Sequence, residues 1–215
     1  MQTFTPYSSF EASARALDTK RLGKQRVEVI QIVRALTVPG YGWASHPAVL
    51  MWKGYEEALG RYGLTMCDVW GELGFGDTCA ATIAEDLSKV GIERIRPYDE
   101  LQAAGALPDW LFTDEVQRSH RSALVRKDPD YYRPRFPDVP DDIEYFWPVR
   151  SRVVVERELR KIENAKRREE RAADKLRLEA ERARKRRSQA ARRGWQTRAA
   201  NLSAKQRKHL GPGSP

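Results

Sequence analysis

From Glu156 to Arg193 the chain runs without a single proline or glycine. Arg, Glu, Ala and Lys dominate this stretch, and Glu156–Arg160, Glu163–Arg167 and Glu181–Lys185 each place an acid four residues before a base, the orientation that supports a helix. The apolar positions Val155, Leu159, Ile162 and Leu176 do not form a sustained seam, because Lys166 and Glu169 interrupt it. The pattern predicts a long solvated helix that buries no core of its own. Compact folding must therefore take place within about the first 150 of the 215 residues.

Charge divides the chain at the same point. Residues 1–150 carry 18 Lys and Arg against 22 Asp and Glu, a net of −4. Residues 151–215 carry 21 against 8, a net of +13. A tail so unbalanced is suited to a polyanion, meaning nucleic acid or an anionic surface. Arg182, Arg184, Lys185, Arg186, Arg187, Arg192, Arg193 and Arg198 surround Trp195, which adds a ring able to stack on a base. The block carries no base-reading signature, so its binding is expected to be non-specific and salt-sensitive. The final residues, His209 to Pro215, are expected to fray.

Other classes fall away. Two cysteines, Cys67 and Cys79, make no disulfide framework and supply too few ligands for a structural zinc site. No apolar run approaches the roughly 20 residues of a membrane span. The opening MQTFTPYSSF lacks the basic and apolar regions of a secretory signal. A cytoplasmic, nucleoid-associated setting without membrane contact is the expectation. Gly71, Gly74 and Gly76 lack the lysine and strand context of a phosphate loop, and three histidines without paired spacing predict no metal.

The compact part reads as all-α, a single-domain helical bundle over 1–150 followed by a basic helical tail over 151–215. Ser8 or Ser9 caps a first helix, and Gly23 predicts one bent helix or two abutting ones. From Lys24, Val27, Ile30, Val33 or Arg34, and Leu36 mark a core-facing side that ends at Pro39-Gly40. His46 and Pro47 sit at the cap and first position of a helix expected to end at Gly63. Further helices are read over Met66–Leu73, Thr78–Val90, a turn at Asp99–Ala104, and a stretch capped by Thr113 that runs to Lys127. Five prolines interleaved with aromatic residues make 128–148 a strap packed on that core.

Four groups of residues have chemical potential. In LDTKRLGKQRVE, residues Arg21, Gln25 and Glu28 share a helical face, with Lys20 and Lys24 beside them and Asp18 and Arg26 nearby. The pattern suits an amphipathic solvated face equally well, or a phosphate-facing patch with one carboxylate for acid–base work. Trp43, His46, Trp52 and Tyr55 form a second group; tryptophans at helical spacing are usually core. Ser119, His120, Arg121, Ser122, Arg126 and Lys127 crowd a third, too polar for one helix to bury entirely. The basic tail is the fourth.

MQTFTPY, LDTKRLGKQRVEVIQI, HPAVLMWKGYEEAL and RSHRSALVRKDPDYYRPRF together resemble the pyrimidine-dimer DNA glycosylases, the phage endonuclease V-like family, in a bacterial and phage branch. The resemblance spans about 1–148. It implies a compact all-α DNA repair enzyme, without a cofactor, that attacks C1′ with an amine, forms a Schiff base and then nicks the strand by β-elimination. In the family the amine is the processed N-terminus and the first helix carries the glutamate and arginines. Here Gln2 is expected to keep Met1 in place. The Met1 amine, Lys20 and Lys24 are all open as nucleophile, and Glu28 or Asp18 as the carboxylate. Only Arg26 matches a family arginine by simple offset.

The resulting expectation is a monomeric glycosylase/AP-lyase on a damaged or modified pyrimidine in duplex DNA. Lys24 or Met1 attacks, Glu28 is the acid/base, and His46 and His120 assist. Lys20, Arg21, Arg26, Arg121, Arg126 and Lys127 hold phosphate, together with Arg186, Arg187, Arg192, Arg193 and Trp195. The target base is extruded to reach its glycosidic bond. A non-catalytic DNA-binding relative and a nucleotide or glycoside enzyme on the same fold are the alternatives, and RNA stays open as a partner of the tail.

Overall fold

The computed structural model describes residues 1–149 and 152–209. The chain is all-α, with no strand among the described residues. Its contacts divide it into two units, Met1–Val155 and Glu156–Pro215.

In the first unit, Ser9 Oγ accepts the Ala12 amide N–H and opens α1 (Phe10–Ala16). Leu17 leaves the helical region, and the Asp18 carboxylate accepts the Arg21 N–H to start α2 (Thr19–Thr37). The break therefore falls at Leu17–Asp18, and Gly23 lies inside an unbroken helix. There Gly23 gives room to an indole: an added Cβ would stand 3.1 Å from Trp70 Cζ3.

The face of α2 is rotated from its expected position. Leu22, Val29, Ile32, Val33 and Ala35 are buried, Ile30 is only partly so, and Val27 is 46% exposed. Gln25 and Glu28 are buried with them. Two polar residues face inward because the N-terminal segment packs on that side and requires hydrogen-bond partners.

His46 and Pro47 open only one turn, α3 (Pro47–Leu50). Gly54, at φ 85°, turns the chain into α4 (Glu56–Glu72), which passes straight through Gly63. The two helices expected over 47–73 are thus divided at Gly54, ahead of α4. At Gly63 a Cβ would lie 2.6 Å from Val29 Cγ1 and 2.8 Å from Ile83 Cδ1. The glycine is a contact point between helices, and its helix-breaking tendency is overridden by packing.

Next come α5 (Cys79–Ser88), α6 (Tyr98–Ala103), a 3-10 turn (Asp109–Phe112) and α7 (Asp114–Lys127). Thr113 occupies the cap position of α7, but its hydroxyl donates to Trp110 O and caps nothing. Asp128 caps the short α8 (Pro129–Tyr132). The strap then lies on α7: Arg126 donates to Asp141 O and Ile143 O, and the Ser122 hydroxyl accepts the Ile143 N–H. The core is aromatic, with Trp52 meeting Trp110, Tyr62 and Phe10.

The second unit is the body of α9 (Arg152–His209). Leu159, Ile162, Leu176 and Leu178 are exposed on it, and Glu163–Arg167 and Glu181–Lys185 pair at 2.7 and 2.9 Å. The expected fraying falls mainly on 210–215, which lie outside the described residues; His209 is the last residue of the helix. No described helix is long and apolar enough to cross a membrane.

Candidate active site

Residues 1–5 form neither helix nor strand, yet Thr3, Phe4 and Thr5 are buried. Buried backbone groups need partners, and side chains of the bundle supply them. Gln25 Oε1 accepts the Phe4 N–H at 2.9 Å, and Gln25 Nε2 donates to Gln2 O at 3.1 Å. The Tyr62 hydroxyl lies 2.8 Å from Phe4 O and 2.7 Å from Gln25 Oε1. The Tyr145 hydroxyl donates to Thr3 O, and the Trp52 indole N–H donates to Thr3 Oγ1. His120 Nδ1 accepts the Thr5 N–H at 2.9 Å. The segment is therefore fixed residue by residue.

This threading carries the chain's first residue to Glu28. The Met1 ammonium stands 3.6 Å from Glu28 Oε2, and the Gln2 N–H donates to the same oxygen at 3.0 Å. Lys24 Nζ lies 3.4 Å from Glu28 Oε1. The Glu28 side chain is 8% exposed, whereas that of Lys24 is 72% exposed. The carboxylate sits at the inner wall of a cleft and the lysine at its mouth.

The cleft has a volume of about 320 Å³ and is lined by Met1, Gln2, Phe4, Lys20, Arg21, Lys24, Gln25, Glu28 and Lys127. Four side-chain cations thus share the lining with one carboxylate. Burial lowers the Lys127 ammonium, and the neighbouring Arg21, Lys24 and Arg126 push it the same way. An anion entering here would relieve that crowding. Arg21 also pairs with Asp18 and Asp128 and donates to Lys127 O, which fixes its guanidinium at the rim.

The other sequence-derived residues have different surroundings. Asp18 caps α2 and accepts the Tyr132 hydroxyl, so it ties α2 to α8. Arg26 pairs with Asp77 and lies under the Trp70 ring, 4.1 Å from its centroid. Arg121 donates to Pro6 O and covers Tyr7, and Arg126 holds the strap. These three arginines have protein partners that account for their placement, and none lines the cleft.

The two histidines also differ from each other. His120 is fully buried, stacks on Tyr145 at 4.4 Å and leaves Nε2 without a hydrogen-bond partner. Burial lowers it to about 3, so it stays neutral at pH 7 and does not face the cleft. His46 Nδ1 accepts the Ala48 N–H and caps α3. Burial lowers His46 as well, followed by the positive Met1 amine, while Glu28 opposes them. His46 thus stands within electrostatic reach of the site.

A second hollow of about 410 Å³ is lined by Glu11, Asp68, Glu72 and Asp99 together with Arg15 and Arg61. Its carboxylates make it a poor seat for phosphate. Among the described residues no group of three His, Cys, Asp or Glu is placed to hold a metal ion.

Sequence reasoning named Gln25 but missed its clamp, and it gave Tyr62, Tyr145 and Thr3 no part in holding the site. The signal for Gln25 was its spacing: Leu22, Gln25 and Val29 fall on one helical stripe, so a polar residue stands where the core requires an apolar one. Nothing in the sequence placed residues 1–5 inside the bundle.

Residues 1–83 match the family described as pyrimidine dimer DNA glycosylase. The match includes Met1, Lys20, Arg21, Lys24 and Glu28, and it supports a resemblance to that family. Lys127, the strap and α9 lie beyond the matched segment. No curated protein and no solved structure gives a match.

Proposed function

We propose that the chain is a DNA glycosylase with AP-lyase activity that uses the Met1 α-amine as nucleophile and Glu28 as its acid/base. One observation carries this reading. A free amine stands 3.6 Å from a nearly buried carboxylate, inside a cleft whose other charged groups are the cations Lys20, Arg21, Lys24 and Lys127. The family match over 1–83 supports a glycosylase at the level of the family.

Glu28 takes the proton from the ammonium, and the freed amine attacks C1′ of the target nucleotide. The C1′–N bond breaks, the base leaves with the electron pair, and Glu28 gives it the proton taken from the ammonium, which returns Glu28 to the carboxylate. The ring opens as an N–H proton passes to O4′, which leaves a protonated Schiff base at C1′. Glu28 then removes a proton from C2′, a C2′=C3′ double bond forms, and the 3′ phosphate is expelled. The cleft cations hold the flanking phosphates, and the base must leave the stack to expose its C1′. No cofactor takes part in these steps.

The tail supports the reading through affinity. Residues 182–209 contain 11 Lys and Arg and no Asp or Glu. Such a segment supplies sequence-independent attraction to duplex DNA that weakens steeply with salt.

Borohydride trapping of the full-length protein tests the proposal. Duplexes carrying a thymine dimer or an abasic site should yield a covalent adduct, and an undamaged duplex none. Peptide mapping should place the adduct at residue 1. Lys24→Arg, which removes the side-chain amine but keeps the charge, should still be trapped. Glu28→Gln should slow adduct formation at least roughly 100-fold. Absence of any adduct with the unaltered protein would overturn the reading.

A further inference from the structure

Helix α9 holds one tryptophan and one glycine, and they are neighbours, Trp195 and Gly194. Trp195 is 76% exposed, the highest value of any large apolar side chain among the described residues. An indole so open to solvent gains little from burial, so packing does not explain its place.

Its surroundings on the helix suit a flat ligand. Arg192 and Arg198 stand three residues to either side of the ring, on the same face, and both are exposed. Ala191 and Ser188, one and two turns earlier, are too short to cover the indole. Gly194 places no side chain beside it, and a Cβ there would meet nothing within 4 Å. Glycine inside a helix is disfavoured relative to alanine. Here it leaves one flank of the ring bare.

Charge narrows the choice of ligand. Glu181 is the last acid before His209, and Lys185 pairs with it at 2.9 Å. Beyond it, residues 182–209 hold 11 Lys and Arg. Trp195 is also the one large apolar residue between Leu178 and Leu202. A helix that lies on a bilayer or pairs with another helix needs an apolar stripe repeated every three or four residues. This stretch has none. A single ring among cations fits a polyanion that carries flat rings along its backbone.

We propose that Trp195, Arg192 and Arg198 form a binding site on α9 for an unpaired strand of nucleic acid. The arginines take phosphates, and the indole stacks on a base beside them. In a duplex each base is covered on both faces by its neighbours, so the ring finds no open partner. The cations of the tail serve either form, and the indole distinguishes them. Because it reads only a π face, DNA and RNA strands present the same chemistry to it. The site stands apart from the glycosylase reading and does not depend on it.

The test uses the full-length protein and three variants, Trp195→Ala, Trp195→Phe and Trp195→Leu. The position is exposed, so circular dichroism should show no loss of helix. Fluorescence anisotropy measures affinity for oligothymidylate, oligouridylate and a duplex. Trp195→Ala should lose roughly five- to a hundredfold on the single strands and no more than about twofold on the duplex. Its slope of log K against log salt should match that of the unaltered protein, because the ring neutralises no phosphate. Trp195→Phe should recover most of the loss, whereas Trp195→Leu, apolar but without a π face, should not. A loss confined to one of the two single strands would support the site and name its source. Equal losses on single strand and duplex, or full recovery by Trp195→Leu, would overturn it. So would an unchanged single-strand affinity in Trp195→Ala, and a loss of binding to anionic phospholipid vesicles in that variant would then assign the ring to a membrane surface.

Discussion

Trp52 and Trp195 are the same side chain in two kinds of environment. Trp52 has no solvent exposure, donates to Thr3 Oγ1 and touches Phe10, Tyr62 and Trp110. Trp195 is 76% exposed on a helix between Arg193 and Arg198. The first unit is held by burial and carries net negative charge. The second is held by its own backbone ladder and by i, i+4 pairs such as Glu163–Arg167, and it carries all of the net positive charge. The contrast teaches that burial and charge are assigned to different parts of the chain. The bundle positions an amine against a carboxylate, and the tail concentrates the positive charge to which the proposed function assigns attraction to DNA.

The largest expected effect tests the burial half of this contrast. Trp52→Ala should destabilise the bundle by about 3–5 kcal/mol, the range for removing a buried tryptophan, because it opens a cavity and leaves Thr3 Oγ1 without its donor. Leu176→Ala, on an exposed face of α9, should change stability by no more than about 0.5 kcal/mol. Chemical denaturation followed by tryptophan fluorescence measures both. A comparable loss in Leu176→Ala would show that the tail contributes a packed face, and the contrast would fail.

Legibility in the sequence followed the same division. The tail was readable because its cues are local: no breakers over 156–193, acids four residues before bases, and a one-sided charge. The helical class of the bundle was readable from periodicity, and so was the LDTKRLGKQRVE face that carries Lys24 and Glu28. The joints were not. Gly63 reads as a stop, and only the approach of Val29 and Ile83 shows why α4 continues through it. The face of α2 was misjudged at Val27, because Gln25 and Glu28 turn inward toward a segment more than 20 residues away in sequence. His120 and Arg121 read as site residues because they are polar and adjacent. Their partners, Thr5 and Pro6, become visible only once the N-terminal segment is seen to cross α7. Long-range hydrogen bonds to irregular backbone leave no periodic trace.

The affinity half is sharpened by salt. Replacing Arg186, Arg187, Arg192 and Arg193 together with Gln should flatten the dependence of log K on log salt by up to about 3–4 units, since each phosphate contact contributes about 0.9. Titration of an undamaged duplex by fluorescence anisotropy from 50 to 300 mM salt, on the order of the range over which such contacts weaken, reads this directly. Glu28→Gln should leave the slope unchanged, because the carboxylate neutralises no phosphate. An unchanged slope in the fourfold variant would remove the tail from DNA binding.

The smallest effect concerns pH and lies wholly within the bundle. Burial holds His120 at about 3, whereas an exposed histidine titrates near 6.5. Between those values the unfolded chain binds a proton that the folded chain refuses, so stability rises with pH across the window. The contribution is complete above about pH 6.5 and is lost as pH falls toward 3. Each unit in that interval is worth about 1.4 kcal/mol, so the bundle should lose roughly 2 kcal/mol between pH 6.5 and 5. His46, also held low by burial, adds in the same direction. Asp18, Asp77 and Asp86 act in a separate window. Burial raises each of them, but hydrogen bonds and charged partners outweigh it and hold them below the usual carboxylate range. Their stabilisation fades only as pH drops through the ordinary carboxylate range and below it. His120→Asn keeps an acceptor for the Thr5 N–H while removing the titrating ring, so it should flatten the pH 5–6.5 slope even though the variant starts less stable. Denaturation series at pH 7.5, 6 and 5 separate the slope from the offset. The tail has no buried ionisable group among its described side chains, so an unaltered slope in His120→Asn would place the acid-sensitive group elsewhere in the bundle.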